Sequence, residues 1–341
     1  MLKTGIVIDP RYQLHQTPQG HPERPQRLGA LLDLVQKNPL EQVTHLSPRA
    51  ASEGELALNH DPDYVRRVAA TAGQDFVAFD ADTCASSHSY EAACLAAGGC
   101  LTLLDAIMRK EIDNGFALVR PPGHHAEFAQ AMGFCLFNNV AVAAHYLRRH
   151  YDLTRILIVD WDVHHGNGTE HSFYHTPHVL YVSLHQWPHY PGTGAATDVG
   201  QGPGKGFTVN VPLPAHCAGQ DYVAAFQTIV EPVARQFDPQ FVLISAGFDA
   251  HQRDPLSTME LTAADFSAMA NLLLHLAHDH AQGRCALVLE GGYDLVALQQ
   301  SVLAVLHALG RPQAPPPLAV PSTALRTLQR VNDVQKRYWS L

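Results

Sequence analysis

Short runs of apolar, often β-branched residues recur along the chain and alternate with longer segments of helical periodicity. Six runs have the composition of buried strands, at residues 5–9, 116–119, 156–160, 179–184, 241–245 and 286–289. Longer segments carry apolar residues at helical spacing, at residues 22–36, 90–109, 138–149, 222–236, 264–278 and 295–309. This alternation predicts an α/β fold with a mainly parallel sheet flanked by helices.

The domain organisation follows from the same pattern. No internal repeat or linker interrupts residues 1–311, which we interpret as one domain. Residues 312–321 are rich in proline and predict an extended segment. Residues 323–338 predict one amphipathic terminal helix. We expect residues 312–341 to pack on the same domain.

Composition narrows the class of protein. The 341 residues carry a formal charge of −9, and no stretch clusters Lys and Arg, which argues against a nucleic-acid partner. No apolar run approaches the roughly 20 residues of a spanning helix, and the N-terminus lacks a signal-peptide pattern. The six cysteines form no CxxC pair. We therefore predict a cytoplasmic protein with reduced thiols and no membrane association.

The unusual polar motifs all follow predicted strands. They are Arg120-Pro-Pro-Gly-His-His125, Asp160-Trp-Asp-Val-His-His-Gly-Asn-Gly168, the sequence up to Asp249, and Glu290-Gly-Gly-Tyr293. Sites in parallel α/β sheets form beyond the carboxyl ends of the strands. The coincidence predicts one shared site.

Asp162 and His164 are the first candidates for metal ligands. They stand two positions apart in an extended segment, so their side chains point the same way. A catalytic zinc needs about three protein ligands and an open position, and Asp249 is the best third ligand. A set so rich in carboxylates leaves the metal less electrophilic, so other catalytic groups should matter more.

His124 and His125 follow a stiff Pro-Pro-Gly turn and suit a general base and acid pair beside a metal. Asp160 and Asn167 are plausible partners for their far ring nitrogens. A carboxylate partner would raise the pKa of one imidazole, and an amide partner would leave the other near its ordinary value.

Tyr293 follows two glycines and suits the donation of a hydrogen bond to a carbonyl oxygen in the transition state. Each motif alone also fits a structural role. Asp162 would then cap a turn, the histidines would be solvated and the tyrosine would pack. Their occurrence in equivalent loops favours the shared site.

Taken together, these motifs resemble the histone deacetylase superfamily, specifically its class II branch and bacterial deacetylase-like members. The resemblance runs from His21-Pro-Glu-Arg-Pro25 to about Gly310. It also includes the motifs Gly133-Phe-Cys-Leu-Phe-Asn138, Val182-Ser-Leu-His185, Pro191-Gly-Thr-Gly194, Ser245-Ala-Gly-Phe-Asp249 and Leu289-Glu-Gly-Gly-Tyr293. Asn167 marks class II, where class I has aspartate.

The resemblance implies an arginase-like fold with an eight-stranded parallel sheet and a zinc-dependent deacetylase. Zinc would be held by Asp162, His164 and Asp249. His125 would be the general base and acid, His124 would act mainly through its charge, and Tyr293 would assist the transition state. Structural potassium would be held by Asp160, Asp162, His164, Ser183 and Leu184, partly through backbone oxygens. A second, weaker cation site would use backbone oxygens near Phe173, Thr176, Val179 and Phe207.

The resemblance also assigns the substrate tunnel. Gly133, Phe134 and Tyr190 would line it, with tyrosine where phenylalanine is usual. Asp82 is the best match for an aspartate at the rim, with Asp80 as the alternative. Arg27 resembles an arginine near the product-release channel.

We interpret the chain as a zinc deacetylase that acts on an acetylated lysine peptide or a small acetylated amine. Acetylpolyamine deacetylases on this fold place a glutamate where Leu256 stands, and leucine cannot pair with a distal ammonium. That alternative stays open beside two others, a non-catalytic acyl-lysine-binding module and a two-manganese ureohydrolase. The oligomeric state is also open, with a homo-oligomer as one option.

Overall fold

The computed structural model describes residues 1–38 and 43–341. Its strands are β1 Thr4–Val7, β2 Val43–Leu46, β3 Val77–Ala78, β4 Cys84–Ala85, β5 Asn114–Ala117, β6 Ile156–Asp160, β7 Val179–Gln186, β8 Thr208–Leu213, β9 Phe241–Ala246 and β10 Cys285–Leu289. Eight of them form one sheet in the order β2-β1-β5-β10-β9-β6-β7-β8, and every pairing is parallel. The predicted fold class is confirmed.

The six predicted strands all lie in this sheet, and the two sheet strands that were missed lie at its edges. In β8, Asn210 and Pro212 break the apolar pattern. Proline is tolerated there because an edge strand needs fewer backbone N–H donors. β2 is only partly buried, so its sequence lacks a strong apolar run.

The helices pack on both faces of the sheet. They are α1 Gln26–Lys37, α2 Glu53–Leu56, α3 Pro62–Ala69, α4 Ser89–Met108, α5 Asn139–Tyr151, α6 Asn167–Phe173, α7 Gly219–Ala225, α8 Glu231–Phe237, α9 Ala263–His280, α10 Leu295–Gly310 and α11 Leu325–Gln335, with a π-helical turn at Phe226–Val230 between α7 and α8. Side chains cap several of their amino ends, as Asn138 does by accepting from the backbone N–H of Ala141.

The core has two layers, one on each face of the sheet. Alternate residues of β6 supply both, since Leu157 and Val159 belong to one cluster and Ile156 and Ile158 to the other. Strands that are apolar on both faces are typical of a parallel sheet covered by helices. This burial fixes the sheet as a rigid platform for the loops at its carboxyl edge.

One helix in the described part of the chain, α4, is long and apolar enough to cross a membrane by length and composition. No such segment was expected from the sequence, because polar residues such as Glu91, Thr102 and Asp105 interrupt the apolar residues of this helix. About 78% of its most apolar window is buried in the protein, which makes the helix weak evidence for a membrane span.

The C-terminal segment contacts the rest of the protein through a buried aspartate and a tryptophan. The Asp221 carboxylate accepts from the backbone N–H groups of Ser322, Thr323 and Ala324. The Trp339 indole N–H donates to the Gly206 carbonyl at 2.9 Å. The division of the chain at residue 311 stays a prediction.

Candidate active site

The loops that carry the polar motifs follow β5, β6, β9 and β10. These four strands are neighbours in the order β5-β10-β9-β6. Their carboxyl ends therefore open onto one region of the sheet edge. The structure brings the predicted residues together there, and nearly all of them are buried.

Asp162, His164 and Asp249 form a compact cluster below the surface. His164 Nδ1 lies 3.1 Å from Asp162 Oδ1 and 3.1 Å from Asp249 Oδ2. One potential ligand atom from each residue lies within 4.8 Å of the other two. No other group of three such side chains close enough to hold a metal occurs in residues 1–38 and 43–341.

Backbone groups fix the orientation of the two carboxylates. Gly291 N–H donates to Asp162 Oδ2 at 2.8 Å, and Val163 N–H donates to Asp249 Oδ1 at 2.9 Å. A Cβ atom on Gly291 would lie 2.1 Å from Asp249 Oδ2, and one on Gly247 would lie 2.1 Å from Asp162 Oδ2. Glycine at both positions lets the backbone close around the cluster.

The charges of the cluster fit a divalent cation. Burial alone would favour a neutral imidazole, but Asp162 and Asp249 outweigh it and raise the pKa of His164 to about 10. Two buried carboxylates this close together need positive charge between them. A metal ion bound by one imidazole nitrogen and two carboxylates would supply that charge, and zinc takes such donors.

The two partners expected from the sequence contact the tandem histidines, one each. His124 Nδ1 lies 3.0 Å from Asp160 Oδ2, and His125 Nδ1 lies 2.8 Å from Asn167 Oδ1. The Asn167 amide nitrogen donates to the carboxylate of Glu127, which places the amide oxygen toward His125. The neutral His125 ring therefore carries its proton on Nδ1, and its Nε2 is free to accept one.

The two histidines differ sharply in charge. Burial disfavours the charged form of His124, but Asp162 and Asp160 outweigh it and raise the pKa to about 10. Burial and the cationic neighbours His124 and His164 lower the pKa of His125 well below its usual value. The expectation that an amide partner leaves this value near the ordinary one was wrong, because burial dominates.

Tyr293 lies in the same buried region, between Arg27 and Phe134. Its ring centroid is 5.9 Å from that of Phe134, and the Arg27 guanidinium lies 4.9 Å over its face. Burial raises the pKa of the Tyr293 hydroxyl well above its usual value. The hydroxyl thus stays protonated and can donate a hydrogen bond.

Two aromatic rings border the approach to His125. The Tyr190 ring lies 5.1 Å from the His125 ring and 6.1 Å from the His164 ring, and 38% of the residue is exposed. A Cβ atom on Gly133 would lie 2.4 Å from His125 Cδ2, so a side chain at position 133 would displace the His125 ring. Gly133 and Tyr190 thus lie against His125, Phe134 lies against Tyr293, and their role as tunnel walls stays a prediction.

Asp80 and Asp82 lie in an exposed turn, and His21 lies between this turn and Phe134. His21 Nε2 lies 3.0 Å from the Asp82 carbonyl oxygen, and its ring packs edge-on against Phe134 at 4.7 Å. The Asp80 carboxylate accepts from the backbone N–H groups of Asp82 and Thr83. Asp80 is thus engaged in shaping the turn.

Arg27 lies beneath Tyr293 and is fully buried. Its guanidinium donates to the Gly292 carbonyl at 2.7 Å and to the Glu290 carbonyl at 2.6 Å. The Glu23 carboxylate balances its charge at 3.1 Å and also pairs with Arg120. The predicted channel residue is therefore also a support for the Tyr293 loop.

Of the residues expected to hold potassium, Asp162 and His164 belong to the metal cluster itself, and the other three lie beside it on β6 and β7. Asp160 and Ser183 are register partners in β6 and β7, and Leu184 follows in β7. Ser183 Oγ lies 2.9 Å from His185 Nδ1. At the second expected site, the carbonyls of Phe173 and Phe207 accept from the N–H groups of Thr176 and Tyr181.

Two buried carboxylates with contacts to the site were missed. Glu290 Oε2 accepts from the backbone N–H groups of Gly123 and His124 at 2.6 and 3.1 Å. Asp254 Oδ2 accepts from the Tyr293 N–H at 2.6 Å. Glu290 lies in the motif that ends at Tyr293, so its sequence position could have identified it as a site residue. Nothing in the sequence around Asp254 indicated that it contacts the site.

Comparison with known proteins agrees with this geometry. Residues 21–309 match the family model of the histone deacetylase domain. The chain belongs to the histone deacetylase family. The matched region of this histone deacetylase family member includes every site residue named above, from Arg27 to Tyr293.

Several relatives of this family member are similar over nearly the whole chain. Histone deacetylase 15 of Arabidopsis thaliana is 42% identical, over 98% of this chain and 62% of the relative. Polyamine deacetylase HDAC10 of Danio rerio is 40% identical, over 97% of this chain and 51% of the relative. A probable deacetylase of Archaeoglobus fulgidus is 39% identical, over 90% of this chain and 86% of the relative. The chain thus spans only part of the longer relatives.

A solved structure confirms the predicted deacetylase-like fold. The crystal structure of the HDA15 HD domain superposes with a TM-score of 0.93 at 41% sequence identity. The match covers 99% of this chain and 96% of that domain. The histone deacetylase fold therefore extends through the C-terminal segment.

Proposed function

We propose that this protein is a zinc-dependent deacetylase that hydrolyses the amide of an acetyl-lysine-like substrate. One observation carries the proposal. A buried cluster of two carboxylates and one imidazole lies beside a neutral histidine, His125, whose ring is 6.0 Å from the His164 ring. A metal site next to a general base can activate a water molecule for attack on an unactivated amide.

Zinc held by Asp162, His164 and Asp249 would polarise the substrate carbonyl and make a water molecule acidic enough to attack it. His125 takes the proton of that water at Nε2, since Nδ1–H is held by Asn167. It then returns the proton to the leaving nitrogen as the C–N bond breaks, which releases acetate and the free amine.

His124 and Tyr293 stabilise the negative charge that develops on the carbonyl oxygen. Asp162 and Asp160 favour the protonated form of His124, which adds positive charge near the reacting atoms. The Tyr293 hydroxyl donates to the oxyanion in a site from which water is largely excluded.

The lining of the approach favours an acyl-lysine stem. Phe134 and Tyr190 offer two aromatic faces, and each buried methylene contributes roughly 0.8 kcal/mol. Leu256 is half-buried and uncharged, so it offers no partner for a distal ammonium. An acetylpolyamine is the second candidate, because relatives from zebrafish and human, 40% and 42% identical, are named polyamine deacetylases.

We also propose a structural potassium ion at Asp160, Asp162, His164, Ser183 and Leu184. The Asp160 carboxylate is fully buried, and its hydrogen-bond partners among the described residues are His124, Tyr181 and the Asp162 N–H. A monovalent cation bound to backbone and hydroxyl oxygens nearby would offset its charge.

Acetate release by the full zinc-loaded chain tests the function directly. Acetyl-lysine peptide and acetylspermidine are compared at matched concentrations, with the Leu256→Glu variant as the control for selectivity. We expect turnover of the peptide to exceed that of acetylspermidine, and Leu256→Glu to shift the ratio toward the polyamine. A reversed ratio in the unmodified chain supports the second candidate. No acetate from either substrate, with zinc bound, would refute the deacetylase assignment.

A further inference from the structure

The loop that carries Tyr293 has few side chains of its own that could stabilise its conformation. Gly291 and Gly292 precede the tyrosine and carry no side chains that could pack. Gly292 has a φ of +119°, a conformation that other residues rarely adopt. The position of the tyrosine ring must therefore be set by contacts from other segments.

Asp254 supplies the contact to the backbone of Tyr293 itself. Its Oδ2 atom accepts from the Tyr293 N–H at 2.6 Å and from the Asp294 N–H at 3.4 Å. Its Oδ1 atom accepts from the Leu256 N–H at 3.0 Å. The residue is 6% exposed, so water offers these N–H groups little replacement.

The same carboxylate is anchored close to the metal cluster. Asp254 lies in the loop that follows Asp249, and the Ser257 hydroxyl donates to the Asp249 carbonyl at 2.5 Å. The Leu256 carbonyl oxygen lies 2.8 Å from His189 Nε2. Asp254 thus connects the Tyr293 loop to a segment that also contacts Asp249 of the metal cluster and His189, the neighbour of Tyr190.

We propose that Asp254 is a positioning residue that fixes the Tyr293 hydroxyl relative to the metal cluster and the tunnel wall. The inference rests on the proposed deacetylase function. Both carboxylate oxygens accept from backbone N–H groups. In Asp254→Asn one of these acceptors becomes an NH2 group, which opposes an N–H donor. Asparagine can therefore hold the Tyr293 segment or the Leu256 segment, but not both.

Kinetics of the full zinc-loaded chain separate positioning from general support of the fold. We expect Asp254→Asn to lower kcat by about 10- to 100-fold, since small misplacements of catalytic groups have costs of this size. KM should change less than about threefold, and zinc content should stay the same. In a Tyr293→Phe background the same substitution should cost less than about twofold, because the hydroxyl it positions is already gone.

Asp221→Asn is the matched control. Asp221 is also buried and also accepts from several backbone N–H groups, but its partners are Ser322, Thr323 and Ala324. This variant should lose stability while retaining kcat. If Asp254→Asn lowers kcat equally with and without the Tyr293 hydroxyl, or if it releases zinc, the positioning role is wrong.

Hydrogen exchange tests the tether without any turnover, so its failure is distinct from failure of the proposed function. Amide exchange in the peptide that contains residues 290–297 should quicken in Asp254→Asn and stay unchanged in Asp221→Asn. Unchanged exchange in Asp254→Asn would overturn the inference even if the enzyme deacetylates. Faster exchange in a chain without deacetylase activity would retain the tether and reject the function.

Discussion

The two edges of the central sheet make opposite use of polar residues. At the carboxyl edge, Asp162, Asp249 and Glu290 are buried, and each accepts hydrogen bonds from the backbone. At the amino edge lies a cavity of about 920 Å³ whose apolar lining includes Ile107 and Leu274. The cluster that could hold a metal lies at the carboxyl edge and not in this cavity, so a large cavity does not by itself identify the active site.

The basic residues at the amino edge have a simpler role. Lys110, Arg284 and Arg311 line the cavity and follow the carboxyl ends of α4, α9 and α10. Cations stabilise the negative end of a helix dipole by about 0.3–1 kcal/mol when exposed. Their position is explained by the helices, whereas the buried carboxylates opposite have no such explanation apart from the site.

The largest effect of a single substitution on turnover is expected at the carboxyl edge. Tyr293→Phe removes one donor to the oxyanion and should lower kcat by about a hundred- to a thousandfold while zinc stays bound. Steady-state kinetics with zinc analysis checks this. Near-full kcat in the variant would show that the tyrosine has no part in the transition state.

Acid should weaken the carboxyl edge through His60. Its Nε2 accepts from the Asn138 N–H at 2.9 Å, and Asn138 caps the helix behind the tandem histidines. Burial lowers the pKa of His60 to about 4. Between about pH 6.5 and pH 4, His60 is protonated in the unfolded chain but stays neutral in the folded chain. The free energy of unfolding therefore falls as the pH drops through this range.

The contribution of His60 is about 3 kcal/mol over that range, from 1.36 kcal/mol per pKa unit. His60→Gln keeps an acceptor for Asn138 and removes the titration. Urea unfolding between pH 7 and pH 4.5 should therefore show a shallower loss of stability in this variant. Equal pH dependence in both proteins would place the acid sensitivity elsewhere.

The smallest effect is expected at the amino edge. Lys110→Ala and Arg284→Ala should leave kcat/KM within about twofold and lower stability by no more than about 1 kcal/mol each. Activity assays and urea unfolding of both variants check this. A tenfold fall in kcat/KM would show that the cavity serves the reaction, and the contrast between the edges would fail.

The sequence allowed prediction of the groups that lie at strand ends but not of those that reach them from other loops. Asp162 and His164 are close in sequence and follow one strand, so their shared direction follows from backbone geometry. Asp160 and Asn167 were also predicted as partners of the tandem histidines, because all four residues lie in motifs beside strand ends, but only the structure shows that His124 pairs with Asp160 and His125 with Asn167.

The supporting carboxylates depend on the order of strands in the sheet. Glu290 reaches His124 because β10 lies beside β5, although the two residues are far apart in the sequence. Asp254 meets Tyr293 because β9 lies beside β10. Neither adjacency can be obtained from apolar periodicity, and the edge strand β8 was missed because Asn210 and Pro212 interrupt its pattern.

Metal analysis of the full chain tests the central claim most directly. Protein reconstituted with zinc and freed of excess metal should hold one zinc per chain, and a crystal should show its anomalous signal between Asp162, His164 and Asp249. Asp249→Asn should lose that zinc. Two metals per chain, a signal elsewhere, or full zinc binding without Asp249 would contradict the account.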